Sequence, residues 1–369
     1  GAGHPEAYPS LDAGVARRSA GAGRRLNRDW RAPALSGSKR AMRATIRDVA
    51  ARAGVSIKTV SRVLNDERYV RADTRERVQA AMAALSFHPS LAARSLGGRR
   101  SFQIGLICDN PNPYYLHELQ GGIRDRAAEQ GVRLISQPYD RGAEGLLADI
   151  MALVDQTHVD GLILTPPVTD RPDVLAMLEA RAVDVVRVQP GADVERAPSA
   201  AIDNVAAAQA MTARLIALGH RRVGLVTGPP VFAVSAERQE GYARALGDAG
   251  VNFDPALVRA GDFGFEAGAL AAAELIPMGV TAIFATSDAM AAGVLAEAHR
   301  RGLTLPGDLS VAGFDDSALA SSVWPPLTTV RQPLRQLGRE AADLLLGGEG
   351  ERRRILPFEI VERASTAAR

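Results

Sequence analysis

Ile57, Lys58, Ser61 and Arg62 fall within one short stretch, Ser56-Ile57-Lys58-Thr59-Val60-Ser61-Arg62-Val63-Leu64, and their side chains are of the kinds that read nucleic acid. A guanidinium bonds the N7 and O6 of guanine with two parallel donors, an ammonium acts as a point charge, and an aliphatic chain touches a thymine methyl. In a helical reading, Val60, Val63 and Leu64 turn inward. Ile57, Lys58, Ser61 and Arg62 are then left outward near the N-terminal half, within reach of base edges in a major groove.

The elements that must hold such a helix are legible on either side of it. Ile46, Val49, Ala50 and Ala53 recur at i, i+3, i+4 and i+7, so a first helix has one apolar face while Arg47, Asp48 and Arg52 lie off it. Gly54 follows, where a helix commonly ends in a left-handed residue. Ser56 is placed to cap the next helix. Asp73 or Thr74 is expected to cap a third helix, whose Val78, Ala81, Met82 and Leu85 complete a small core. Two short helices meeting at a glycine, the second with a basic and polar open face, spell a helix-turn-helix.

After these helices come Phe87-His88-Pro89-Ser90-Leu91-Ala92-Ala93-Arg94-Ser95-Leu96 and then Gly97-Gly98-Arg99-Arg100. With Asp48-Val49-Ala50, Ala53-Gly54-Val55-Ser56 and Thr59-Val60-Ser61-Arg62-Val63-Leu64-Asn65 before them, these residues resemble the DNA-binding headpiece and hinge of the lactose repressor/galactose repressor family of bacterial transcription regulators. The resemblance covers residues 45 to about 366. It implies a helix-turn-helix headpiece over 42–88, a hinge helix and linker over 89–100, and an effector-binding and dimerisation core over 101–369. By this resemblance Ile57, Lys58 and Arg62 match base-reading side chains, while Ser56, Thr59, Ser61, Asn65 and Tyr69 match phosphate or near-phosphate contacts. Ala93, Arg94 and Leu96 match a hinge that folds on DNA and wedges a leucine into the minor groove. A helix this short, between Pro89 and Gly97-Gly98, is marginal alone in water. Gly97-Gly98 departs from the Lys or Arg often found there, which would soften the link between effector state and hinge.

Charge is distributed to suit such a division. The net charge is only +2, yet the first 100 residues hold 20 Lys+Arg against 8 Asp+Glu, leaving a basic front and an acidic remainder. Residues 1–41, rich in Gly, Ala, Arg, Ser and Pro and without period, read as a disordered extra or non-native segment, with Met42 as the natural start. The alternative for that segment is a basic arm adding nonspecific phosphate contacts. The single cysteine, Cys108, excludes an internal disulfide and a Cys-rich zinc site. No stretch approaches the roughly 20 apolar residues of a membrane span. A cytoplasmic protein is the expectation.

From residue 102 the pattern becomes short β-branched runs separated by segments of helical length. Strands are expected over 102–109, 133–139, 161–167, 184–190, 223–228, 282–287 and 309–316, and such alternation implies parallel sheets covered on both faces. The family resemblance, not the periodicity, implies that these form two doubly wound subdomains of a periplasmic-binding-protein-like core with a ligand cleft between them. Cleft residues then belong at the carboxyl ends of strands.

Seven side chains match effector-contact positions by that resemblance: Tyr114 and Tyr115 in the loop after the first strand, Arg187 and Gln189 at the end of the fourth, Arg238, Phe263 and Asp288. Carboxylate, guanidinium and aromatic faces suit a sugar. Each has a second reading: Asp288 as a helix cap, Arg238 in an internal ion pair, Tyr114 and Phe263 as packing. Asp203-Asn204, Asp315-Asp316 and the run from Pro325 match the family chiefly as fold and crossover elements, and Trp324 is left unassigned. Ser287 stands where many relatives carry Asn.

The expected partners are a pseudo-palindromic operator, a mono- or oligosaccharide effector and a second copy of the chain. No cofactor, metal or catalytic residue is expected. There is no phosphate loop, dinucleotide fingerprint after a strand, nucleophile elbow or metal-spaced His pair.

Overall fold

The computed structural model describes residues 44–64, 67, 69–87, 100–110, 112–139 and 145–369. Residues 1–41, Asn65, Ala93, Arg94, Leu96 and the whole hinge except Arg100 lie outside the described residues. The chain divides into a small helical unit and a large α/β unit.

The helical unit carries α1 (Ile46–Ala53), α2 (Ile57–Leu64) and α3 (Ala72–Ala84). Val49, Val60 and Val78 are fully buried, and Ala50, Ala53, Val63 and Ala81 nearly so, one short apolar stripe from each helix. Gly54 takes φ 65°, ψ 37°, a backbone that a β-carbon would strain. The start of α1 is fixed by a capping box. Thr45 accepts from the Asp48 amide and the Asp48 carboxylate accepts from the Thr45 amide, a device the sequence reading passed over. The cap expected of Asp73 or Thr74 is not formed. The N-cap of α3 is Arg71, Asp73 sits inside the first turn, and the Thr74 hydroxyl bonds Asp73.

The α/β unit contains two six-stranded sheets. The first has the order β11-β5-β4-β3-β1-β2 and the second β12-β10-β9-β8-β6-β7. In chain order the strands are β1 (Gln103–Cys108), β2 (Arg133–Pro138), β3 (Leu162–Leu164), β4 (Val185–Val188), β5 (Ser199–Ile202), β6 (Val223–Thr227), β7 (Val258–Ala260), β8 (Ala282–Ala285), β9 (Ser310–Asp315), β10 (Thr328–Arg331), β11 (Arg353–Leu356) and β12 (Glu359–Val361). Every pairing is parallel except that of β10 with β12. The chain therefore leaves the first sheet after β5, returns to it for β11 and ends in the second with β12. Strands such as β6 and β9 are buried along their whole length, which is why they read as apolar runs without alternation.

The intervening helices are α4 (Pro113–Glu129), α5 (Leu146–Thr157), α6 (Pro172–Ala180), α7 (Asn204–Ala217), α8 (Ala233–Asp248), α9 (Phe265–Leu275), α10 (Asp288–Arg300), α11 (Ala318–Ser322) and α12 (Leu334–Leu345). Helix α12 follows a strand of the second sheet yet packs on α4 and on β4 and β5 of the first. One apolar cluster draws on both sheets, from Ile104 and Val186 to Phe284 and Phe314. The two halves thus share one apolar core.

Candidate effector cleft and DNA-reading helix

On α2, Ser56 accepts a hydrogen bond from the Thr59 amide at 3.1 Å and its hydroxyl meets that of Thr59 at 2.9 Å. That cap fixes the helix start. Ile57 is 45% exposed, Lys58 and Arg62 are exposed, and Thr59 and Ser61 are half-buried at the edge of the packed face. Tyr69 is 97% exposed. The Arg62 guanidinium lies 3.5 Å from the Glu67 carboxylate, an exposed pair that costs little to open.

In the α/β unit, the strand ends of both sheets surround a narrow cleft of about 30 Å³. The first sheet contributes Asn110 and Asn112 after β1, Pro166 after β3 and Gln189 after β4; Tyr115 joins them from α4. The second contributes Phe232 and Val234 after β6, Phe263 after β7, Ser287 after β8 and Asp315 at the end of β9, with Arg238 from α8. Strand carboxyl ends thus frame the site, as a doubly wound fold demands.

Three of these residues take left-handed or related backbone: Gln189 (φ 50°), Phe263 (φ 68°) and Asp315 (φ 121°). Such conformations cost free energy and persist where the surrounding structure enforces them. Phe263 meets Phe232 edge to face, with centroids 5.3 Å apart. A β-carbon on Gly228 would fall 2.0 Å from the Phe263 ring, so the glycine is what lets that ring lie against the strand end. Arg238 is buried. Its Nε donates to Asn204, Nη1 donates to the Thr286 carbonyl, and the guanidinium lies 3.7 Å above the Phe314 ring.

A chain of amide and carboxylate bonds crosses the cleft. Asn112 donates to Asp315 Oδ2 at 2.9 Å, Gln332 donates to Asp315 Oδ1 at 2.7 Å, and Gln189 donates to Gln332 at 3.1 Å. Burial pushes the Asp315 carboxyl up, opposed by the nearby Arg238 charge. Burial likewise pushes the Tyr115 phenol up and the Arg238 guanidinium down. The result is one carboxylate, one guanidinium and several amides among three aromatic rings, Tyr115, Phe232 and Phe263, an arrangement that binds hydroxyl groups by their donors and acceptors.

Of the seven expected effector residues, Tyr115, Gln189, Arg238 and Phe263 line this cleft, and three do not. Arg187 is fully buried. It donates to the carbonyls of Thr169, Ala192 and Asp193 and to the Asp170 carboxylate. A continued strand would place Arg187 and Gln189 on one face, but the left-handed backbone at Gln189 breaks the alternation. Tyr114 is 40% exposed and faces an outer groove. Asp288 is buried behind the site: Oδ2 accepts from the Ser317 amide and hydroxyl, Oδ1 from the Thr329 hydroxyl. Nor does it cap α10, since Ser287 does so through the Met290 amide.

The cleft's carboxylate is therefore Asp315, which by the family resemblance alone matches chiefly a fold element. Its signal was an acidic pair closing a wholly apolar run, the place where a strand delivers a polar side chain to a cleft. Trp324 is 78% exposed and lies away from the cleft.

Two family models match the chain: bacterial regulatory proteins of the lacI family over residues 45–90, and the periplasmic binding protein-like domain over residues 212–366. The HTH-type transcriptional regulator DegA of Bacillus subtilis is 33% identical over 337 residues, 88% of this chain and 99% of that one. Among solved structures, the lac repressor dimer bound to operator and the anti-inducer ONPF matches with a TM-score of 0.75 and 30% identity, over 88% of this chain and 99% of that one. The CelR–cellobiose complex matches with a TM-score of 0.66 and 32% identity, over 88% of this chain and all of that one. The chain belongs to the lacI family of bacterial transcription regulators, with a helix-turn-helix region followed by a periplasmic-binding-protein-like core. It is a DNA-binding regulator, in a family of regulators and not of enzymes.

Proposed function

We propose that this chain represses transcription from a pseudo-palindromic operator as a homodimer, and that a neutral sugar in the cleft sets its affinity for that operator. Helix α2 enters the major groove with Ile57, Lys58 and Arg62 toward base edges, while Ser56, Thr59, Ser61, Asn65 and Tyr69 meet the backbone. Ala93, Arg94 and Leu96 act at the minor groove through the hinge, and residues 42–88, 89–100 and 101–369 divide the labour accordingly. Two-fold symmetry of the dimer sets the half-site spacing. The protein acts in the cytoplasm, on the chromosome.

The observation that carries this reading is the bridge from Asn112 to Asp315 and Gln332, which ties loops of the two sheets together through bonds that hydroxyl groups can replace. A ligand that exchanges those bonds has a different affinity for each relative setting of the subdomains. Such a difference is the physical content of allosteric coupling. The lac repressor's operator-bound dimer and CelR's cellobiose complex are the relatives that support it. A mobility-shift assay with promoter DNA, repeated over a salt series, tests the first half. The expected result is a salt-dependent shift; no binding to any promoter fragment would overturn the proposal.

A further inference from the structure

At the end of the first sheet opposite the cleft, the chain enters β1 through Ser101 and Phe102, and both of their amides donate to one side chain. Ser101 N–H reaches Asp160 Oδ1 at 2.6 Å and Phe102 N–H reaches Oδ2 at 3.0 Å. Phe102 takes φ 59°, and a left-handed residue turns successive N–H groups toward one anion. Asp160 is itself held in place. Its amide donates to the Gln103 carbonyl at 2.7 Å, and the Gln103 side chain donates to the carbonyl of Thr157, the last residue of α5. Among the described residues no other group bonds this carboxylate, so both of its oxygens serve the chain entry.

The two strands that start at this clamp finish at the cleft. β1 and β3 pair in parallel, with Ser101 and Asp160 before their first residues, and the loops after them bring Asn110, Asn112 and Pro166 into the cleft lining. β1 spans six residues, about 20 Å, and both strands are buried beyond Gln103. Strands packed at this density move as a body. Asn112, at the cleft end, bonds Asp315 of the other sheet, so a change in the setting of the two sheets is carried by β1 to its far end.

We propose that Asp160 is a positioning residue for DNA binding: its carboxylate fixes the chain entry to the first sheet, so that a resetting of the sheets at the cleft displaces the attached end of segment 89–100 with it. This rests on the reading that the cleft sets operator affinity, and it names the joint that passes the setting on. Without the carboxylate, the left-handed turn at Phe102 loses what holds it, and rotation about Ser101 and Phe102 absorbs the displacement. The coupling free energy between cleft and operator then falls, while each end keeps its own contacts.

A double-mutant cycle on the full chain tests this without any ligand, using Asn112→Ala to disturb the cleft and an operator selected from random DNA to read the outcome. Asn112 and Asp160 serve opposite ends of β1 and share no partner, so a merely structural Asp160 would give additive effects. Asn112→Ala should change operator affinity at least fivefold in the wild-type background and less than twofold beside Asp160→Ala. Asp160→Asn keeps an acceptor for one amide and turns a donor toward the other; it should give an intermediate change, and it serves for the cycle if Asp160→Ala does not fold. Deuterium exchange at Ser101 and Phe102 should quicken at least tenfold in either variant. Equal effects of Asn112→Ala in all backgrounds, or exchange at these two amides as fast in the wild type, would overturn the role of Asp160 and leave the cleft reading standing. An operator affinity unmoved by Asn112→Ala in the wild-type background would overturn both.

Discussion

Asn112 and Asp315 stand 203 positions apart in the chain, and a buried hydrogen bond of 2.9 Å joins the amide of one to the carboxylate of the other. One follows the first strand of the first sheet and the other closes the fourth strand in chain order of the second. With Gln332 as its other donor, and Gln332 in turn bonded by Gln189, Asp315 anchors one of the hydrogen-bonded crossings between the subdomains over the cleft.

Replacing Asp315 by Asn keeps the shape but removes the charge-assisted bonds, which are worth about 1.5–3 kcal/mol each. Effector affinity should fall by about 10- to 100-fold, read by calorimetry, with circular dichroism unchanged. An affinity within a factor of two of wild type would remove Asp315 from the site.

Arg187 gives the opposite pattern. Its guanidinium donates to Asp170 and three carbonyls from full burial, so Arg187→Ala removes the counter-charge of Asp170, leaving it the Gly191 and Ala192 amides, and takes a donor from each carbonyl. Urea denaturation should show a loss of about 3–5 kcal/mol. Effector affinity, measured where the variant is still folded, should stay within about threefold of wild type. Loss of binding without loss of stability would restore Arg187 to the effector site.

The buried carboxyl of Asp288 is pushed up to about 8 by burial and by the nearby Asp315 charge. The folded state then holds a proton that the unfolded chain releases near pH 4, so folding binds protons between those values. Stability contributed by this group is present at low pH and declines as pH rises toward about 8. Asp288→Asn mimics the protonated form and should flatten that decline, raising the melting temperature at pH 8 more than at pH 5. Equal shifts at both pH values would contradict this.

How much of this was legible depended on what each residue answers to. Helices α1 and α2 were readable because Ile46, Val49, Ala50 and Ala53 keep one helical period and Gly54 and Ser56 punctuate it, all within a few residues. The long buried strands β1, β6 and β9 were readable for a similar reason. Strands β5, β7, β10, β11 and β12 were not, because three or four residues at or near a sheet edge carry little period of their own and depend on their partners. In the cleft, Tyr115, Arg238 and Phe263 matched the family pattern and do line the site. Asp288 and Asp315 are both acidic, both buried and close enough to influence each other, and only tertiary contacts decide which faces the ligand. Nothing local distinguishes them. Arg187 was misplaced because strand alternation says nothing about a left-handed backbone two residues later.

On α2, Arg62→Ala should relax base preference at one position in each half-site, at a cost of about 1–3 kcal/mol for the preferred base. Tyr69→Ala should weaken all sequences about equally. Binding selection from a random-sequence library separates the two. An Arg62→Ala profile identical to wild type would take Arg62 out of base reading.

Occupancy of the Asp315 cleft is expected to change operator affinity. Fluorescence anisotropy on an operator selected from random DNA, with and without a saturating sugar found by calorimetry, measures it directly. The expected result is a change of at least fivefold in operator affinity for the wild-type chain, abolished in Asp315→Ala at the same sugar concentration. Operator affinity that stays constant in the wild-type chain while the sugar demonstrably fills the cleft would show that the cleft does not control DNA binding.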